Sequence, residues 1–252
     1  MANSHLAATV YAPTGGAATR PLVVVSPGFQ MARTQYATYA HHLATWGFVV
    51  VLTDYADQSF SASHQVMATD VGKVIDWALA QHDLAIDATK IATAGHSLGG
   101  DISVLAASDD ARVKAVVGWD PVDASTPSVV PEHMIGMTAA IAVVGETTDS
   151  SGGFMPCAPA GDNFEAFYAA APSPALQITV AGGSHMDWVD DASCFACSLC
   201  TAGTAPPATA HTVTRRLTVA WLRAHLLGDA TMSAWLAAPP ELASHAIAIT
   251  TK

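Results

Sequence analysis

Short apolar runs with no polar side recur along this chain, separated by stretches of helical spacing. Leu6 to Ala12 alternates weakly and predicts an edge strand, closed by Pro13-Thr14-Gly15-Gly16. Pro21–Ser26 (PLVVVS), Phe48–Leu52, Ile91–Ala94, Val113–Gly118, Ala139–Val144 and Ala175–Ala181 predict further strands. Their unbroken apolar character is that of strands covered on both faces of a parallel sheet. Thr34 to Thr45 places Tyr36, Tyr39, Ala40 and Leu43 on one helical face and stops at Gly47. His64 to His82 predicts an amphipathic helix. Its buried stripe is Val66, Met67, Val71, Val74, Ile75, Ala78 and Leu79, with Asp70, Lys73 and Gln81 facing out. Helices are also expected at Asp101–Ser108, Asn163–Ala171, Thr212–Leu227 and, in the tail, Met232–Leu236, with Ala202–Pro207 as a flexible connector. Strand and helix alternate from residue 21 to 227, which implies right-handed βαβ units and a mostly parallel sheet. With neither an internal repeat nor a second core, the expectation is one α/β domain over residues 1–252.

One junction carries chemistry. In Lys90–Asp101 (KIATAGHSLGGD) a predicted strand meets Gly95-His96-Ser97-Leu98-Gly99-Gly100 and a helix follows. This is G-x-S-x-G in the strand–turn–helix context that a nucleophile elbow needs. The serine must stand on a strained turn, and residues without a Cβ suit the positions two away on either side. The helix that begins there aims free N–H groups at a reacting oxygen. The plain alternative is a Gly-rich strand–helix turn. A serine hydroxyl is a weak nucleophile at neutral pH and needs a base. Of eleven histidines, His185 alone directly follows the last predicted sheet strand, in the order Ser…Asp/Glu…His. A surface-loop histidine is the competing reading. His96 reads as a wall of the site. The acid that orients the base follows one of two strands: Asp120 or Asp123 after one, Glu146 or Asp149 after the next. Position alone leaves these open, and each also reads as a turn or cap carboxylate.

Composition narrows the partners. A net charge of −11 with ten Lys plus Arg argues against nucleic acid and anionic membrane surfaces. No apolar run approaches the ~18–20 residues of a membrane span, so stable insertion is not expected. The N-terminal stretch MANSHLAATVYAP lacks the basic and apolar regions of a signal peptide. Cys157 stands apart from Cys194, Cys197 and Cys200, which form a C-x2-C-x2-C cluster. Two disulfides, a four-thiolate metal site and free buried thiols compete, and disulfides are favoured. A link from Cys157 to the cluster would pin a long Gly/Pro-rich loop beside His185. Disulfides belong to an oxidising compartment, so the protein is expected to be secreted or periplasmic.

Five pieces occur in order: Ser26-Pro27-Gly28-Phe29, the GHSLGG elbow, Trp119-Asp120-Pro121-Val122-Asp123, Met155-Pro156-Cys157-Ala158-Pro159 and Gly183-Ser184-His185-Met186-Asp187. Together they resemble the chlorophyllase family of α/β-hydrolases, related to cutinase-like polyester hydrolases and platelet-activating-factor acetylhydrolases. The resemblance runs from about residue 20 to 228. It implies the α/β-hydrolase fold, a serine carboxylic-ester hydrolase, and Ser97, Asp120 and His185 as the triad. Asp149 lies where the cutinase-like acid would fall. The resemblance also implies an oxyanion hole from the N–H groups of Leu98 and Phe29, and no metal or cofactor. His96, Trp119, Met186 and Trp188, with Phe29, are expected to line an apolar groove for a small-molecule or polymeric ester. Leu98 stands where plant chlorophyllases have Arg, and the loop 146–154 is shorter, so a chlorophyll substrate does not follow. A lipase, acyltransferase or peptidase using the same triad, or a non-catalytic binding protein of this fold, are the alternatives.

Overall fold

A strand buried on both sides needs apolar residues at every position, and period-two alternation then deals them to opposite layers. The computed structural model describes residues 6–15, 18–123, 127–149, 156–193, 196–240 and 247–252. Gly16, Met155 and Cys194, drawn on above, lie outside them. Eight strands form one sheet: β1 (Ala8–Tyr11), β2 (Arg20–Ser26), β3 (Val49–Thr53), β4 (Ile86–His96), β5 (Val113–Trp119), β6 (Ala140–Glu146), β7 (Ala175–Val180) and β8 (Ile247–Thr251). Their order is β1-β3-β2-β4-β5-β6-β7-β8. β2 to β7 run parallel, and β1 and β8 close the two edges antiparallel. The helices are α1 (Ala37–Thr45), α2 (His64–Leu79), α3 (Leu98–Asp109), α4 (Phe164–Ala170), α5 (Pro207–Leu227) and α6 (Ala230–Ala237).

The alternation is visible residue by residue. Leu22, Val24, Val49 and Val51 pack with Met67, Val71 and Ile75 of α2, Ile102 and Leu105 of α3 and Phe167 of α4. Val23, Val25, Val50 and Leu52 face the other way, onto Tyr39 and Leu43 of α1 and Leu217 and Trp221 of α5. This is the α/β-hydrolase architecture expected above.

Several boundaries move. α5 starts at Pro207, taking over the end of the expected connector, because a proline at the first helical position has no N–H to leave unpaired. β8 was not expected. Its Ile247-Ala248-Ile249 is too short to separate from a helix fragment by periodicity, and pairing with β7 decides it. In α2, Val66 is exposed and Asp70 buried, the reverse of the expectation. The stripe centres on Met67, Val71, Val74 and Ala78, so Val66 falls to its solvent side. Asp70 sits on its shoulder, under a 2.7 Å bond from Lys73.

The register brings the carboxyl ends of five strands to one rim. Ser26 pairs with Gly95, His96 with Trp119, Trp119 with Val144, and Glu146 with Val180. β3 lies on one side of β2 and β4 on the other, so the topological switch point, where open α/β sheets bind ligands, falls at that rim between β2 and β4.

Candidate active site

Ser97 joins β4 to α3 with φ 54° and ψ −125°, a conformation that side chains rarely adopt and that costs about 1–3 kcal/mol. The surroundings impose it. A Cβ on Gly95 would overlap the carbonyl of Gly99, and one on Gly99 would overlap the carbonyl of Ser26. A Cβ on Gly100 would come to 2.7 Å from Pro121 Cβ. The turn is thus wedged between the loops after β2 and β5. The Ser97 hydroxyl does not cap its own helix. It lies 2.9 Å from His185 Nε2.

His185 sits in a single tight turn, His185–Trp188, just past β7. The Ser184 N–H donates to Asp187 Oδ2 at 2.9 Å, and Ser184 Oγ donates to the Thr201 carbonyl at 2.7 Å. Across the site, His185 Nδ1 is 2.6 Å from Asp120 Oδ2. Asp120 follows β5 and is also left-handed, at φ 44°. Its N–H donates to the Val144 carbonyl at 2.6 Å, holding the carboxylate over the rim. Three sequence-predicted residues, Ser97, His185 and Asp120, therefore form one continuous hydrogen-bonded line.

The remaining acids are brought near without joining that line. Asp149 accepts N–H bonds from His185 (3.3 Å) and Thr201 (3.0 Å). Glu146 accepts from the N–H groups of Thr148 and Asp149. Asp123 accepts from the N–H groups of Val129 (2.9 Å) and Val130 (3.1 Å) and so shapes a loop. Burial raises the Asp120 carboxyl above its ordinary range, and the charge of Asp149 adds to this. Burial, then the charge of Asp120, pushes Glu146 up to about 7.

The expected groove is only partly present. Trp119 and Trp188 are wholly buried, and neither offers surface to a ligand. Their indole N–H groups donate to Thr218 Oγ1 (3.1 Å) and Thr214 Oγ1 (2.7 Å), one turn apart on α5. They tie the rim to that helix. His96 is buried too, with both ring nitrogens engaged by Tyr36 Oη and the His185 carbonyl. Burial, then the neighbouring His185, holds its pKa well below 6.5. Phe29 and Met186 remain half-buried at the rim, and Leu98 is the first residue of α3. Two residues were missed. Tyr36 read only as a stripe residue, yet its hydroxyl accepts from the Gly28 N–H at 3.0 Å. Phe60, 89% exposed, stands 5.0 Å from Phe29 ring to ring, and no periodicity marks its loop.

Cys157 and Cys200 are joined by a disulfide, and Cys197 is disulfide-bonded as well. Three of the four thiolates that a metal site would need are therefore oxidised. Among the described residues no group of three or more His, Cys, Asp or Glu is placed to hold a metal ion. Among them, too, no helix is long and apolar enough to cross a membrane.

Sequence comparison gives this geometry a lineage. Chlorophyllase-2 of Arabidopsis thaliana is 25% identical over 197 residues, 68% of this chain and 61% of the plant protein. The bis(hydroxyethyl) terephthalate hydrolase of Streptomyces coelicolor is 29% identical over 173 residues, 66% of this chain and 50% of that one. Cutinase 1 of Thermobifida cellulosilytica is 27% identical over 168 residues, 66% of this chain and 59% of its own. The alignments thus span between half and three fifths of these relatives. The chlorophyllase family profile covers residues 5–250, from ahead of β1 into β8, and by that match this chain belongs to the chlorophyllase family.

Proposed function

We propose that this chain is a serine carboxylic-ester hydrolase working through Ser97, His185 and Asp120. The observation that carries the proposal is the unbroken line Ser97 Oγ–His185–Asp120, at 2.9 and 2.6 Å. His185 Nε2 takes the hydroxyl proton as Ser97 Oγ attacks the ester carbonyl, while Asp120 holds Nδ1–H and stabilises the imidazolium. The N–H groups of Leu98 and Phe29 receive the oxyanion. Gly99 packs against the carbonyls of Ser26 and Pro27, which sets the loop bearing Phe29 beside the first turn of α3. Donors of this kind contribute about 3–4 kcal/mol each to lowering the barrier. The alcohol departs with the proton from His185. A water deprotonated by the same nitrogen then attacks the acyl carbon and regenerates the Ser97 hydroxyl. The acyl–Oγ bond breaks, the carboxylic acid leaves, and the proton on His185 returns to Ser97 Oγ.

Hydrophobic esters, small or polymeric, fit best. The half-buried Phe29 and the exposed Phe60 present apolar surface beside the oxyanion loop, and one relative is named a hydrolase of bis(hydroxyethyl) terephthalate, an aromatic ester. The disulfide supports an oxidising compartment, secreted or periplasmic. The test is a p-nitrophenyl ester chain-length series, extended to a chlorophyll and an aromatic polyester film. It is run with wild type and Ser97→Ala, and with a fluorophosphonate that labels reactive serines. The expected loss in Ser97→Ala is on the order of 10⁴–10⁶ in kcat, with labelling abolished. Retention of most esterase activity in that variant would end the proposal.

A further inference from the structure

His185 has four polar atoms, and only two of them meet the triad. Its side chain spans Ser97 and Asp120. Its main chain is gripped separately: the N–H donates to Asp149 Oδ2 at 3.3 Å, and the carbonyl lies 2.9 Å from His96 Nε2. We infer that Asp149 and His96, with Tyr36 behind His96, are positioning residues that hold the His185 peptide so that its ring bridges nucleophile and acid. The inference rests on the triad reading above.

Each grip is a built feature. Asp149 is completely buried, and its other oxygen, Oδ1, accepts from the N–H groups of Thr201 (3.0 Å) and Cys157 (3.5 Å). These two residues flank or form the Cys157–Cys200 disulfide, so one carboxylate joins the base loop to the covalently closed loop beside it. Asp149 is fixed in turn, because its own N–H donates to both carboxylate oxygens of Glu146, at 3.0 and 2.9 Å. A buried carboxylate committed to three main-chain donors serves as an anchor, and the ring nitrogen of His185 is left to Asp120.

On the opposite side the bond directions follow from the chemistry of each group. The Gly28 N–H can only donate, so Tyr36 Oη accepts there. The one hydroxyl hydrogen of Tyr36 then goes to His96 Nδ1, 3.0 Å away. That leaves the His96 proton on Nε2, facing the His185 carbonyl, which can only accept. The chain Gly28–Tyr36–His96–His185 is satisfied at every link. It also starts one residue before Phe29, so the oxyanion loop and the base are braced through the residue preceding Ser97. The neutral state of His96 spares the His185 ring, 4.7 Å away centre to centre, a second positive charge.

Steady-state kinetics on a soluble p-nitrophenyl ester, the rate of fluorophosphonate labelling and thermal unfolding test this on six variants. They are Tyr36→Phe, His96→Gln, His96→Leu, Asp149→Asn, Asp120→Asn and Ser97→Ala. Misplacing a base by a fraction of an ångström to 1 Å costs about 10- to 100-fold. Tyr36→Phe, which removes one oxygen, and Asp149→Asn are expected to lose that much in kcat and in labelling rate, with KM within about twofold. His96→Gln, whose amide can still donate to the His185 carbonyl, is expected to recover a large part of what His96→Leu loses. A role in packing alone predicts falls in melting temperature without that kcat–KM split and without the Gln rescue, and overturns the inference. So does an Asp149→Asn loss as large as that of Asp120→Asn, which would make Asp149 the acid. Should Asp149→Asn fail to fold, the Tyr36 and His96 variants decide. Full activity in Ser97→Ala refutes the Ser97–His185–Asp120 reading itself. An inert Ser97→Ala beside wild-type-like Tyr36→Phe and Asp149→Asn refutes only the positioning roles.

Discussion

The proposed nucleophile and its proposed base are built by opposite means. The elbow, residues 95–101, is compact in sequence: its strained serine follows from three glycines, the strand before them and the helix after. The histidine loop, residues 182–205, has only short single turns among its described residues. It is held from outside: Gly182 N–H by Thr147 Oγ1 (2.9 Å), the His185 peptide by Asp149 and His96, Asp190 N–H by the Gln35 carbonyl (2.8 Å), and one end by the disulfide. A group that must stay strained is coded by a compact run of residues, whose glycines let the loops after β2 and β5 close on it. A group that must meet two distant partners is placed by those partners.

Four perturbations break or sharpen that contrast. The largest effect belongs to Asp120→Asn, which leaves the fold and the elbow intact but lets His185 take the wrong tautomer. kcat should fall about 10⁴-fold, as initial rates at saturating ester will show. Next is Cys157→Ser, which opens a link across 43 residues. The chain-entropy relation gives a loss of about 4 kcal/mol, measurable by denaturant unfolding, and wild type under reductant should approach the variant. The esterase should then inactivate at a lower temperature because the base loop loosens while the elbow does not.

Gly99→Ala strikes the elbow instead. Its methyl would overlap the Ser26 carbonyl, so the loop after β2 must shift. Stability should fall by about 1–3 kcal/mol, and activity should fall by more than the change in folded fraction explains. If Gly99→Ala is silent, the elbow is not locally imposed. The smallest effect is a gain. Asp101, in the first turn of α3, is fully buried 3.3 Å from His64, and burial pushes its carboxyl up to about 7, from 3.8 when unfolded. The folded chain therefore keeps this proton to higher pH than the unfolded one. Stability from the group is full below about pH 4 and is lost as pH rises through about 7. Asp101→Asn should raise the melting temperature at pH 8, by about 2–4 °C per kcal/mol recovered, and the gain should vanish near pH 4. Calorimetry across that range checks both the sign and the window.

Much of this was legible in the chain itself. Continuous apolar runs required a two-sided sheet, and G-x-S-x-G between strand and helix required the elbow. The order of polar residues after successive strands brought Ser97 and His185 forward with Asp120, Asp123, Glu146 and Asp149 as candidate acids, and only the family resemblance singled out Asp120. The misreadings share a cause. Trp119, Trp188 and His96 sit next to reactive residues, yet the direction a side chain takes depends on Thr218, Thr214 and Tyr36, which are 26 to 99 positions away.

What the sequence determined alone is whatever short-range sterics and periodicity enforce: the strands, most helices, and a serine forced onto a bend by neighbours without side chains. Only the tertiary structure decided which of two carboxylates takes the imidazole and which grips its peptide. That choice depends on the few ångströms separating the ends of β5 and β6, and such distances exist only once the sheet has been assembled.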